Sequence, residues 1–146
     1  MDIMAAIFIA LVLLGLIVML LALQRFQPVS NLKAVVEKRI TEIDTRTNMA
    51  DYNSLRTALI DYDTLLDHVL KDKGIRGTNM GERLKSARSY FPHGLYNEIW
   101  EAHKMRNNLV HEATFTASVP ALQRNREALK RAITQTSGVR KATRTA

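Results

Sequence analysis

The chain begins with one long apolar run and continues as a series of amphipathic segments. Residues 3–23 are 21 positions without a charged or strongly polar side chain. At about 1.5 Å per residue, a helix of this length crosses the roughly 30 Å hydrocarbon core of a bilayer. The pattern therefore predicts an N-terminal transmembrane helix that makes the membrane a partner of residues 3–23, within an anchor over residues 1–24.

A cleaved signal peptide is the competing interpretation of this run. It is disfavoured because no basic residue precedes the run, the run is longer than a usual signal core, and Leu20-Leu21-Ala22 offers no small-x-small cleavage site. Basic residues instead follow the run closely: Arg25, Lys33, Lys38 and Arg39. The positive-inside rule then predicts a single-pass protein of the cell membrane with a cytoplasmic C-terminal domain.

The rest of the chain shows helical periodicity, and no segment alternates as a strand does. After a short joint over residues 25–30, spacing and turn residues predict helices over about 31–45, 52–74, 79–90, 95–112 and 119–136. The second is the strongest, because its apolar residues recur at spacings of three and four: Tyr52, Leu55, Leu59, Tyr62, Leu66 and Val69. The expected fold is all-α, with a four- or five-helix bundle over residues 31–136 and a basic flexible tail over 137–146.

Cap and turn residues separate these segments. Asn48 followed by Asp51 resembles a helix N-terminus, Asn79 with Glu82 forms a capping box, and Ser118 with Pro120 opens the last helix: these are the start signals. Residues 74–77 are Gly-Ile-Arg-Gly, and glycines beside a basic residue invite a phosphate-loop interpretation. No Walker spacing is present, so a plain connector is favoured.

Charge after the apolar run is strongly positive. Residues 24–146 hold all 21 basic residues and 13 of the 14 acidic ones, a formal charge of +8. This balance favours anionic partners, meaning nucleic acid or an acidic membrane surface, and solubility alone is the other interpretation. Cysteine is absent, which agrees with a reducing compartment.

The segment 95–112 carries an arginine where an amphipathic helix has apolar side chains. At about 100° per residue, Arg106 falls in the middle of the apolar stripe, opposite a polar face that includes Lys104. A third strip also faces away from solvent: Tyr96, Trp100, His103, Asn107 and His111. Two surfaces of this helix therefore need covering, either because it is central in its own bundle or because a second copy of the chain packs on it.

A buried arginine needs a partner. Burying an unpaired guanidinium is strongly unfavourable, so Arg106 must meet a carboxylate, a row of carbonyls or a water-filled cleft. In the structural interpretation, Arg106 pairs with an aspartate of the long second helix and only fixes the packing; the candidates are Asp61, Asp63 and Asp67. In the functional interpretation, Arg106 belongs to a binding or catalytic site.

Polar side chains surround Arg106 in helical register. Asn107 lies four positions from both His103 and His111, so its amide can orient an imidazole and select its tautomer. Histidine is the side chain that most readily gains and loses a proton near neutral pH. No metal site is expected, because His103 and His111 are about 12 Å apart along the axis and no cysteine is present. No cofactor is expected either.

Arg106-Asn-Asn-Leu-Val-His111 resembles the Arg-x4-6-His signature of HEPN domains (higher eukaryotes and prokaryotes nucleotide-binding). The polar residue directly after the arginine, the place on the penultimate predicted helix and the surrounding Trp100–Glu112 segment strengthen the likeness. A second match, Arg88 with His93, is interrupted by a proline. The likeness covers residues 31–136, and only the motif helix is specific.

The resemblance implies a metal-independent endoribonuclease in which two copies bring their motifs into one cleft. It implies that His111 transfers the proton at the RNA 2′-hydroxyl or leaving oxygen, that Arg106 stabilises charge on the phosphate and that Asn107 holds the geometry. His103 and Lys104 are expected to contact the RNA or nucleotide ligand. Some members of this family have lost cleavage, so the alternative is a non-catalytic nucleotide-binding or protein-interaction module with an unidentified protein partner.

Overall fold

The computed structural model of the protein describes residue 3, residues 11–19 and residues 29–138. The chain divides between Asn31 and Leu32, and the bundle that follows is described by itself. Within residues 29–138 every regular element is helical: α1 (Val29–Arg46), α2 (Tyr52–Asp72), α3 (Met80–Ser86), a 3₁₀ turn (Arg88–Tyr90), α4 (His93–His111) and α5 (Val119–Ser137). This part of the chain agrees with the prediction of an all-helical bundle.

The prediction of an N-terminal transmembrane helix over residues 3–23 is wrong. Crossing a bilayer needs about 20 consecutive apolar helical residues. Residues 11–19 are helical, but these nine residues extend only about 14 Å, and most of the other predicted positions lie outside the described residues. In the part of the chain that the structure describes, no helix is long and apolar enough to cross a membrane. The anchor over 1–24 and the single-pass membrane location are corrected accordingly.

Two other predicted segments lie largely outside the described residues. They are the joint over residues 25–30, of which only positions 29 and 30 are described as helical, and the basic tail over 137–146, of which only positions 137 and 138 are described. Both remain predictions.

Local capping explains where α2 begins and ends. The Asp51 carboxylate accepts a hydrogen bond from the Ser54 N–H at 2.6 Å, which satisfies one free donor at the N-terminus. After Asp72 the chain turns at Gly74, whose φ of +74° suits glycine and disfavours other residues. The Gly74 N–H donates to the Lys71 carbonyl at 2.9 Å and closes the helix. The helix therefore ends two residues before the glycine that the sequence marks.

The short helix α3 begins as predicted and ends earlier. Asn79 Oδ1 accepts from the Glu82 N–H at 3.0 Å. The Glu82 carboxylate accepts from the Thr78 N–H at 2.7 Å and from the Thr78 hydroxyl at 2.8 Å, and these bonds hold the pKa of Glu82 below its ordinary value. The prediction of one helix to Tyr90 is wrong in its second half, because Arg88–Tyr90 winds into a 3₁₀ turn.

Three helices enclose the core of the bundle. Helix α2 packs against α4 and α5, and α4 packs against α5. The apolar faces that meet there hold the largest fully buried side chains, to which α1 and α3 also contribute: Ile43, Leu55, Leu59, Tyr62, Leu66, Leu70, Leu84, Ile99, Leu122, Leu129 and Ile133. Burying each large side chain stabilises the fold by roughly 1.5–3 kcal/mol before entropy is counted.

Asp44 joins α1 to the rest of the bundle. Its carboxylate accepts from the Tyr62 hydroxyl at 2.7 Å, from Lys130 Nζ at 2.6 Å and from the guanidinium of Arg126. Partial burial opposes ionisation of Asp44, but the hydrogen bonds from Lys130 and Tyr62 outweigh it and lower the pKa of Asp44. The bundle thus gains a polar cross-link between α1, α2 and α5.

Candidate functional site

Four polar side chains of α2 and α4 form a closed ring: Asp63, His103, Asn107 and Arg106. Asp63 Oδ1 lies 2.9 Å from His103 Nδ1, and His103 Nε2 lies 3.3 Å from Asn107 Nδ2. Asn107 Oδ1 accepts a hydrogen bond from Arg106 Nη1 at 3.0 Å. The ring closes where Arg106 Nε lies 3.6 Å from Asp63 Oδ2, an ion pair that does not meet hydrogen-bond geometry.

The direction of each hydrogen bond in the ring fixes the tautomer of His103. Arginine only donates, so the amide oxygen of Asn107 faces Arg106 and its NH₂ group faces His103 Nε2. That nitrogen must then accept, which leaves the proton of a neutral imidazole on Nδ1, where it donates to the carboxylate of Asp63. The four residues thus form a consistent chain of donors and acceptors.

The helical repeat places these residues together. His103, Arg106 and Asn107 stand three and four positions apart on α4, so their side chains share one face. Asp63 follows Leu59 by four positions and precedes Leu66 by three, which puts it on the buried face of α2. Only 3% of Asp63 is exposed, so its charge depends on the two α4 side chains that meet it.

Helix α3 covers one side of the ring. A Cβ placed at Gly81 would lie 3.8 Å from His103 Nε2 and 3.8 Å from the indole ring of Trp100. The Trp100 ring also meets the His103 imidazole edge to face, with centroids 6.0 Å apart. His103 is therefore only 9% exposed.

Arg106 lies at the border between core and solvent. Its side chain is 27% exposed, so the guanidinium is half-buried, close to the predicted orientation away from water. Its Nε is buried and has no hydrogen-bond partner among the described residues, and its one hydrogen bond there goes to Asn107. The pairing with Asp63 fits the structural interpretation, in which an aspartate of α2 neutralises the arginine.

The other two candidate aspartates are paired elsewhere. The carboxylate of Asp61 accepts from the guanidinium of Arg46, and Asp67 Oδ1 accepts from Arg83 Nε at 2.6 Å. Sequence reasoning could not choose among the three aspartates, although the spacing of Asp63 within the apolar repeat of α2 is a signal for the buried one.

His111 and Lys104 lie apart from the ring. His111 is the last residue of α4, is exposed, and forms no hydrogen bond or ion pair with a described residue. On a straight helix it is about 140° around the axis and about 7.5 Å along it from Arg106. Because α4 continues through Val110 to His111, the helix does not end early enough to turn the imidazole toward Arg106 within one chain. Lys104 is exposed on the polar face of α4, as the periodicity predicts.

One chain covers most of the motif helix by itself. Tyr96 is 7% exposed and packs against Trp100, with ring centroids 6.4 Å apart. The third strip of α4 is thus buried by α2 and α3 in the same copy, except at its end, where His111 is exposed. Val110, which the periodicity assigned to the apolar stripe, is 43% exposed instead. A second copy is not needed to bury Tyr96, Trp100 or His103, and the dimer stays a prediction.

No group of three or more His, Asp or Glu side chains within the described residues is arranged to hold a metal ion. Comparison of the chain with protein-family models, with curated proteins and with solved structures finds no match. Likeness to HEPN domains therefore depends on the motif helix and its predicted place in a small helical domain.

Proposed function

We propose that the helical bundle is a HEPN-like endoribonuclease that cleaves RNA without a metal ion, in a cleft shared by two copies of the chain. The observation that carries this function is the ring around Arg106. Asp63, His103 and Asn107 hold a half-exposed guanidinium in one place. A cation already fixed at the surface loses little entropy on meeting a phosphate.

Arg106 and His111 divide the chemistry. The free donors of the guanidinium stabilise the charge that develops on the phosphate oxygens. The exposed imidazole of His111 takes the proton from the RNA 2′-hydroxyl. The 2′-oxygen then bonds to the adjacent phosphorus, the bond to the 5′-oxygen of the next nucleotide breaks, and that oxygen takes up a proton. The products are a 2′,3′-cyclic phosphate and a free 5′-hydroxyl.

Two copies are required by the direction of these side chains. Arg106 and His111 point to different sides of α4, so a phosphate bound by Arg106 of one copy needs His111 of the second. The exposed end of α4 offers a contact for such a pairing, because Val110 presents an apolar side chain beside His111. A two-fold arrangement would form two equivalent composite sites.

A non-catalytic binding or interaction module is the second candidate, and one observation favours it. The ring balances the charge of Arg106 with Asp63 inside a single copy, and His103 rather than His111 occupies the partner position. In this function Arg106 anchors α4 to α2, and the domain binds a nucleotide or a protein partner without cleaving it.

RNA cleavage in excess EDTA separates the two functions. The 146-residue chain is compared with His111→Ala and Arg106→Lys, and with His93→Ala and Arg124→Ala as controls at exposed positions. Arg106→Lys keeps the charge and loses the planar fork, so it limits damage to the fold. Cleavage by the parent and the controls that is lost in both test variants supports the nuclease. An inactive parent on single-stranded and hairpin RNA, or an active His111→Ala, overturns it.

A further inference from the structure

The net positive charge of the described bundle is concentrated in residues 71–88, here called the basic segment. Residues 29–138 contain 17 basic and 13 acidic residues. The basic segment holds six of these basic residues and two of the acidic ones, so the remaining residues of 29–138 have eleven of each and are neutral as a group. The six cations are Lys71, Lys73, Arg76, Arg83, Lys85 and Arg88.

Five of the six cations are exposed and unneutralised. Only Arg83 forms an ion pair with a described residue, and it is the one buried member of the group. The Arg88 guanidinium lies over the Tyr96 ring, 5.3 Å from its centroid, which holds the cation without neutralising it. The charges of the basic segment therefore add to a positive field at one part of the surface.

Arg83 clamps the loop that carries part of this charge. Its Nε and Nη2 donate to the two carboxylate oxygens of Asp67 at 2.6 and 3.0 Å, and its Nη1 donates to the Gly77 carbonyl. Gly77 has a φ of +153°, and a Cβ there would lie 2.5 Å from the Arg83 backbone nitrogen. The loop after α2 is thus fixed against α3, which is more than a plain connector needs.

The basic segment also lies next to the ring around Arg106. Gly81 lets α3 approach His103 and Trp100 of α4, and Arg88 rests on Tyr96 of the same helix. The segment therefore follows the strip of α4 that leads from Tyr96 to His103. Arg106 comes directly after this strip on the helix.

Tyr90 adds an exposed aromatic ring at the end of the segment. It is 51% exposed, and Gln135 Nε2 donates to its carbonyl at 2.9 Å, which ties the 3₁₀ turn to α5. Surfaces that bind single-stranded nucleic acid combine cations along the backbone with aromatic rings on which bases stack. An acidic peptide or a lipid surface has no base to stack on such a ring.

We infer that the basic segment binds the phosphates of a single RNA strand, with a base stacked on Tyr90, and leads the strand to Arg106. This surface extends the proposed function, on which it rests, by giving the nuclease a substrate-binding track outside its reacting residues. It assigns the Gly-Ile-Arg-Gly loop a role that the connector interpretation leaves out.

Matched charge variants test this surface. Binding of a labelled single-stranded oligouridylate is measured in EDTA at several salt concentrations, with His111→Ala present throughout to prevent cleavage. Arg76→Gln/Lys85→Gln is compared with Lys38→Gln/Arg124→Gln, which removes the same two residue types at exposed positions outside the segment. Tyr90→Ser is measured alongside them.

The segment pair is expected to weaken binding about tenfold and to lower the slope of log affinity against log salt by about 1.4, because each lost phosphate contact in a single strand removes about 0.7. The control pair should stay within about twofold of the parent, and Tyr90→Ser should weaken binding at least about fivefold without changing the slope.

Equal losses in the two pairs overturn the inference, as does a parent that binds no RNA or binds only phosphatidylserine vesicles. RNA binding through the basic segment by a chain that never cleaves supports the surface and overturns the proposed nuclease alone. Cleavage that depends on His111, combined with equal losses in the two pairs, does the reverse.

Discussion

The imidazole of His103 donates from Nδ1 to the carboxylate of Asp63 across 2.9 Å, and this contact joins α4 to α2 at the edge of the core. Both side chains are buried, so neither can exchange its partner for water. The contact also decides where Arg106 stands, because Asp63 faces Arg106 with its second oxygen.

Replacing Asp63 by alanine should destabilise the bundle by about 3 kcal/mol. The change leaves the His103 Nδ1–H without an acceptor and Arg106 without its counter-charge, and removal of one partner from a buried pair typically has an effect of this size. Urea unfolding measures the difference. Asp72→Ala, at an exposed position on the same helix, should change stability by no more than about 0.5 kcal/mol. A loss under about 1 kcal/mol for Asp63→Ala would contradict the role of the ring.

The imidazole of His103 should carry its proton on Nδ1 at neutral pH. The orientation of the Asn107 amide requires Nε2 to accept, so the ring admits one neutral tautomer. Long-range ¹⁵N–¹H correlation spectra distinguish the two tautomers. A proton found on Nε2 would mean that the Asn107 amide is turned around, and the link from His103 to Arg106 would be lost.

Stability should fall in acid partly through Asp44. The folded-state pKa of Asp44 lies below its ordinary value of 3.8, so its contribution is complete above that pH and is lost as the pH falls through the folded pKa. Asp44→Asn should remove about 1 kcal/mol at neutral pH, a value reduced for solvent screening, and should flatten the acid limb of the stability profile. Urea midpoints measured from neutral to acid pH check this. Parallel profiles for parent and variant would rule it out.

Two glycine substitutions should act in opposite directions. Gly77→Ala should destabilise by about 2 kcal/mol, because its φ of +153° suits glycine and the new Cβ would meet the Arg83 backbone. Gly94→Ala should stabilise by about 0.5 kcal/mol, because Gly94 is helical and a Cβ there meets nothing within 4 Å. Thermal unfolding of both variants gives the comparison. A neutral Gly77→Ala would show that Arg83 does not clamp the loop.

Periodicity predicted the helices of the bundle well, because the repeat of α2 and the capping residues Asn79 and Ser118 act locally. It failed where distant contacts decide. The choice of Asp63 among three aspartates depends on how α2 is rotated against α4, which spacing alone does not give. The same holds for His103, whose burial under α3 depends on the approach at Gly81. A hydropathy run likewise predicted a spanning helix that no described helix supports.

Mixing two inactive variants tests whether Arg106 and His111 act across a shared cleft. Arg106→Lys and His111→Ala are each assayed for RNA cleavage in EDTA, alone and after subunit exchange in equal amounts. In a composite site, each mixed dimer regains one site with both residues intact, so the mixture should recover about a quarter of the parent activity. A mixture as inactive as the separate variants, beside an active parent, would contradict the shared cleft.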